Sequence, residues 1–570
     1  MSSPYPSLQT QSLPSPQIWE LDPPATLKAA LEARFCPLQT THPGLLRFGK
    51  TKKQTPFLRF DHRWHLEHFV GEIPHRSGHF SGRIREYSSN GSNGIPAAGQ
   101  SLTDISGFCK ITHLLDAYRM LQGNYPVSQH PALPSPGKKS AKVYGKLHDP
   151  HNQAYVDAVA CYMLSKFREA DHSPHFSLFY GAYLAIAKEY FYNITEDFAD
   201  IRFEKWFWRR KGQGHFRLLG FNGDVPMDAD DPLLESPEED LDYDSSSNDS
   251  DGSKSGESHI SELGGYEAVG DTGSLHSASI TTASDLESDS EGSDGTEETD
   301  EIGENTKMFA AISEFPTMLI FLESNTNTMD SLLDDNDGTE KEAKWSAWLF
   351  QVIAALCQIQ SLWAMTHNDL HSNNILWTST EKPYLYYSTT NGHTWRVPTY
   401  GKIFRIIDFG RAIYTHNDVL CVSDDYWPEN EAGTQYNFGP FYEPEEPLCY
   451  PNPSFDLCRL SVSIIEALFQ EIPEDREGGR VLSDEANFRQ HETVSDLYNV
   501  LWEWLIDEDG RNVLCNPDRS ERYPGFDLYS VIAKKVKGAV PREQLNKKPF
   551  VGFCFSDNVP EGEKVYSLFC

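Results

Sequence analysis

The chain has 570 residues and a formal net charge of −35, too long for one compact domain. Residues 224–304 hold 26 acids against one base, Lys254, so this segment carries −25 of the −35 and the rest only −10. That balance argues against phosphate-backbone binding, and no direct nucleic-acid contact is expected. No run of 18 apolar residues occurs, so no membrane span is expected. The start, Met1-Ser2-Ser3-Pro4, lacks the basic and apolar regions of a secretory signal. Ten cysteines include no C-x-x-C pair, which argues against a zinc site and for free thiols in a reducing compartment, cytoplasm or nucleus.

In chain order, residues 1–100 read as an N-terminal extension, flexible in part, with a short helix over Ala25–Phe35 and an aromatic, His-rich layer over Phe57–Phe80. Residues 101–323 read as a first lobe. Within it, Ser106–Ile111 has a single glycine, Gly107, and is either a degenerate glycine loop or an ordinary turn. Ala141–Lys146 reads as a strand, and the apolar positions of Ala154–Phe167 recur at helical spacing. Phe176–Gly181 and His215–Phe221 read as further strands. Residues 224–306 are rich in Ser, Asp, Glu and Gly; too little apolar surface is available to offset ordering, and disorder is expected. A fold tolerates such an insert, because each doubling of loop length costs only about 0.6 kcal/mol. A basic partner for the insert is an expectation of its charge. Met318–Leu322 reads as the strand that closes the lobe.

Residues 324–570 read as a second lobe. Ala343–Trp363 places Trp345, Leu349, Val352, Leu356 and Ile359 on one helical stripe. Tyr384–Tyr387 and Thr394–Val397 flank Asn391-Gly392, a strong hairpin signal. Ser454–Leu468 opens another helix, and residues 480–570 read as mixed helices.

Chemistry concentrates in His367-Asn368-Asp369-Leu370-His371-Ser372-Asn373-Asn374, with Asp408-Phe409-Gly410 following 34 positions after Asn374. Phosphoryl transfer needs an oxygen base near the incoming hydroxyl and oxygen ligands for the magnesium that neutralises the phosphates. Asp369, Asn374 and Asp408 are the right chemical types in the right order. Ile375-Leu376-Trp377 and Ile403–Ile407 read as short strands that would hold both pieces rigidly.

These motifs resemble the signatures of the protein-kinase superfamily, in particular divergent kinases of protists, fungi and large DNA viruses; the likeness spans roughly Pro316–Leu468. The resemblance implies an α+β, bilobal protein-kinase-like fold with a small β-rich N-lobe and a mainly helical C-lobe. It implies an ATP- and Mg2+-dependent transfer of the γ-phosphate to Ser/Thr hydroxyls of a protein substrate. Asp369 would be the base, Asn374 and Asp408 the metal ligands. Lys146 or Lys142 would pair the α- and β-phosphates, Asp157 would stand for the usual helix Glu, and backbone groups around Glu323 would meet adenine. Asp456 would tie down the catalytic loop. Asn368 replaces the arginine that reads a phosphorylated activation loop, so activity independent of that switch is expected. Asp369-Leu370-His371 also resembles aminoglycoside- and choline-type phosphotransferases, and the weak glycine loop is compatible with a non-catalytic pseudokinase scaffold; both stand as alternatives.

Overall fold

The computed structural model describes residues 15–570 except 50–54, 75, 90–95, 126–131, 136–142, 224, 230, 237–305, 326, 334–339, 429 and 486–487. Its first part is built on strands β1 (Ile18–Glu20), β2 (Phe35–Gln39), β3 (Leu58–Phe60), β4 (Trp64–Val70), β5 (Gly78–Ser88), β6 (Ala97–His113), β7 (Phe179–Asn193), β8 (Phe216–Asn222), β9 (Val225–Pro226) and β10 (Thr306–Glu323). Between them lie helices α1 (Ala25–Glu32), α2 (Pro43–Leu46), α3 (Ala117–Gln122), α4 (Gln153–Glu169), α5 (Phe198–Ile201) and α6 (Lys205–Gly212). Eight strands form one sheet in the order β2-β7-β10-β6-β5-β4, with β8 added to β10 and β9 to β8; β1 and β3 pair separately.

One residue divides the long central strand. Glu314 in β10 takes a left-handed φ of 52°. Before it, β10 pairs with β8, and after it with β6, while β7 follows both halves. Both halves stay at the cleft: Lys307 and Phe309 of the first half line the same cavity as Leu322 and Glu323 of the second. Helix α4 is capped by Asn152, whose side chain accepts from the Ala154 amide, and buries both flanks, Tyr155, Val159 and Tyr162 among them.

The second part is organised around α7 (Lys341–Trp363), which is buried along nearly its whole length and stops at Ala364, φ 48°. The mainly helical lobe expected there is not what forms. Ten strands accompany five α-helices among the described residues of 324–570: β11 (Asn327–Thr328), β12 (Ile375–Ser379), β13 (Tyr384–Ser388), β14 (Thr394–Pro398), β15 (Lys402–Ile406), β16 (Tyr414–His416), β17 (Val419–Cys421), β18 (Val481–Glu485), β19 (Phe488–His491) and β20 (Val565–Ser567), with α8 (Phe455–Leu468), α9 (Asp496–Trp504), α10 (Asp527–Lys535) and α11 (Pro541–Gln544) after α7. The architecture is a mixed α/β one, with about 30% helix and 31% strand. The physical reason is pairing that local pattern does not reveal: the expected hairpin β13–β14 forms, and β20 then adds to it in parallel from the far end of the chain.

Position 101 falls inside β6, so β4, β5 and β6 form one continuous ribbon across the boundary expected between extension and first lobe. Of the acidic insert, 237–305 lies outside the described residues. Its described start is ordered: Val225–Pro226 pairs with β8, and Pro232–Leu234 makes a 3-10 turn. All ten cysteines are free thiols. No helix among the described residues is long and apolar enough to cross a membrane.

Candidate functional site

A cavity of about 750 Å3 opens between the sheet and the loops that follow α7. Its roof is β6 with Arg76 and Ser77, its floor Asn374, Leu376 and Asp408, and its far wall Leu322 and Glu323. The connection that carries Arg76 and Ser77 joins β4 to β5 and begins at Gly71, whose φ of 98° suits only glycine. Ser77 anchors it: its Oγ accepts from the Ile111 amide at 2.8 Å. Ser106–Ile111, expected as a loop, lies within β6; its buried Gly107, Cys109 and Ile111 alternate with the half-buried Phe108, Lys110 and Thr112.

Lys110 stands at the centre. Its Nζ is 2.7 Å from Asp157 Oδ2 and 2.9 Å from Asp408 Oδ1. Burial alone would lower the lysine's pKa, but the two carboxylates outweigh it and hold the ammonium well above its ordinary range. Burial likewise pushes Asp408 up, yet the charge and hydrogen bond of Lys110 bring it below its ordinary value. Asp157 does more than pair the lysine: its Oδ1 accepts from the Phe409 amide at 3.0 Å. One carboxylate of α4 thus fixes both the lysine of β6 and the segment that carries Asp408.

The Asp369 loop is fixed from below. Asp456, buried in the first turn of α8, accepts from the amides of His367 and Asn368 at 3.1 and 2.9 Å. The Asp369 amide donates to His367 Nδ1, which leaves the proton on Nε2 to reach the Ile407 carbonyl at 2.8 Å. Asn368, at φ 64°, donates to the Arg411 carbonyl and accepts from the Tyr436 hydroxyl at 2.7 Å. The Asn374 amide donates to the Asp369 carbonyl and to His371 Nε2, so its Oδ1 is the atom left for a cation. Burial pulls the His371 pKa down to about 4, and the imidazole is neutral at pH 7.

The other expected residues are placed differently. Lys146 sits in a 3-10 turn, Gly145–His148, and not on a strand; its Nζ is 3.1 Å from Asp424 Oδ2 and outside the cavity wall. Asp424 Oδ1 in turn accepts from the Gln153 amide at the start of α4, so the pair closes a helix end. Lys142 lies outside the described residues. Glu323 stands on the far cavity wall as expected, with its carboxylate taken by Arg168 and Arg405 and its amide donating to the Leu178 carbonyl.

No family model matches the chain, and no curated protein matches it.

Among the described residues no three His, Cys, Asp or Glu side chains gather as a metal cage. Asp408 and Asn374 fit a hard cation that takes its remaining oxygens from phosphate and water, the coordination magnesium prefers. The arrangement can therefore neutralise a polyphosphate from two directions, the Lys110 ammonium and a cation on Asp408 and Asn374. Asp369 lies on the same loop, five residues before Asn374.

Proposed function

We propose that the protein is an ATP-dependent phosphotransferase that acts with Mg2+ on Ser/Thr hydroxyls of a protein substrate. The observation that carries this reading is Lys110 bridging Asp157 and Asp408 across a cavity large enough for a nucleotide. Such a lysine, released from Asp408 by an incoming phosphate, keeps Asp157 as its anchor and gains phosphate oxygens. Asn374 and Asp408 would hold the magnesium, which supplies charge neutralisation at the phosphates. Asp369 would accept the acceptor's proton. Phe108, Leu322 and Leu376 offer apolar surface to adenine. The contribution of the chain is positioning and electrostatics, with no covalent intermediate.

The test is transfer of labelled γ-phosphate from Mg-ATP to generic proteins, with aminoglycoside and choline acceptors run alongside. Label on protein Ser/Thr supports the reading. Label only on the small acceptors moves the protein to the second class. Mg-ATP binding without any transfer makes it a scaffold.

A further inference from the structure

Asp369 does not share the cavity wall with Asn374 and Asp408, and its side of the loop is closed by α10. The hydroxyl of Tyr529 donates to Asp369 Oδ1 at 3.0 Å, and Arg459 Nε donates to the same phenol oxygen at 3.0 Å. Asp369 and Tyr529 are 5% and 6% exposed, so solvent competes little for these bonds. The ring is held as firmly as the hydroxyl. Phe526 stacks on it at 4.9 Å and 10°, and the Arg411 and Arg459 guanidinium groups lie over its face at 5.8 and 5.3 Å.

Within its own loop Asp369 has no cation to orient it. His371 is two residues away, but its Nε2 is occupied by the Asn374 side-chain amide. Positive charge reaches Asp369 from α8 instead, through a phenol: Arg459 polarises the Tyr529 O–H, and a polarised O–H is a stronger donor to a carboxylate.

On the phosphotransferase reading, we propose that Tyr529 is a positioning residue for Asp369, a relay from Arg459 that fixes the carboxylate with Oδ1 occupied and Oδ2 left for the acceptor hydroxyl. The role parallels that of any third group that orients a base while taking no proton itself. It also sets a requirement on the substrate: the acceptor approaches from the side away from α10.

Tyr529→Phe removes only the hydroxyl and keeps the stacked ring. The expected result is a kcat lower by about tenfold, the worth of one hydrogen bond to a charged group, with KM for ATP and calorimetric Mg-ATP affinity unchanged. On an Asp369→Asn background the same substitution should cost nothing further, because the relay then has no carboxylate to orient. Four results would overturn the proposal: an unchanged kcat, a raised kcat that marks the phenol as a plug, a change in KM for ATP alone, or an equal loss on both backgrounds that marks a purely structural effect. Absence of transfer by the parent chain, despite Mg-ATP binding, rejects the phosphotransferase reading and this proposal together. Transfer by the parent with an indifferent Tyr529→Phe rejects this proposal alone.

Discussion

Asp157 holds Lys110 Nζ and the Phe409 amide on its two carboxylate oxygens, at 2.7 and 3.0 Å. An aspartate side chain is one methylene shorter than a glutamate's, so α4 has to lie close to both β6 and the Asp408 segment. Close packing on Gly410 is part of that approach: a Cβ there would meet the Gln153 side chain at 2.9 Å.

The first prediction separates the two lysines. Lys110→Met should weaken Mg-ATP binding about ten- to a hundredfold, since it removes a charged donor and leaves Asp157 and Asp408 facing each other. Lys146→Ala should leave that affinity intact. It strips the partner from the buried Asp424, so it should instead destabilise the fold by about 3 kcal/mol. Calorimetry and urea unfolding on both variants check this; a loss of affinity in Lys146→Ala with normal stability would reverse the assignment.

Asp408→Ala and Asp369→Asn should differ in kind. On the proposed reading the former removes a cation ligand and should abolish the magnesium dependence of nucleotide binding. The latter keeps shape and both hydrogen-bonding atoms, and should cut transfer to a small but measurable residual rate, lower by about a thousandfold, while ATP affinity stays within about threefold. Titration of ATP into each variant with and without Mg2+ is the measurement, and equal behaviour of the two would refute the division of roles.

Activity should survive phosphatase treatment. On the proposed reading Asn368 stands where an arginine would read a phosphate, and it is already fixed by Tyr436 and by the Arg411 carbonyl. Tyr436→Phe leaves the buried Asn368 oxygen short of a donor and should lower stability by about 1–2 kcal/mol. Loss of most activity on dephosphorylation would contradict the independence argued here.

Acid should destabilise the fold through its buried histidines. Burial holds His42 near a pKa of about 3, and burial with the Arg59 charge does the same for His62. Unfolded, each takes up a proton near 6.5; folded, neither does until far lower. Between those values the unfolded state binds more protons, so the stability is complete above about pH 6.5 and declines as the pH falls. At pH 5 the loss is about 2 kcal/mol per histidine. His42→Asn keeps a helix-capping side chain without the titration and should flatten the pH dependence by that amount. Urea midpoints at pH 7.5 and 5 for parent and variant decide the matter.

That Asn374, Asp408 and Asp157 come together at one cavity, and that Asp456 ties down the Asp369 loop, could be anticipated from the sequence because short, local spacing and helical periodicity carry their placement. Lys110 was not. A lone glycine at 107 suggested a turn, although Gly107, Cys109 and Ile111 alternate with Phe108, Lys110 and Thr112 as a strand requires. The neighbouring Val143-Tyr144 drew the lysine assignment to Lys146, where Gly145 in fact opens a 3-10 turn. Glycines at 71 and 78, between β4 and β5, carried a usable signal for a connection there, from which Arg76 and Ser77 reach the cavity. Tyr529 carried none, because its contact with Asp369 joins positions 160 residues apart. The strand-rich second part was hidden for the same reason: β20 finds β13 only in the folded molecule.

That pairing changes what a cut near the end of the chain would do. Leu568 donates to the Ser388 carbonyl, Thr390 to the Cys570 carbonyl, and Gln358 of α7 reaches the Ser567 carbonyl. Trimming residues 565–570 would not shorten a tail. It would bare the edge of β13, put the buried ring of Tyr387 at a sticky rim, and turn an internal seam into a template for aggregation.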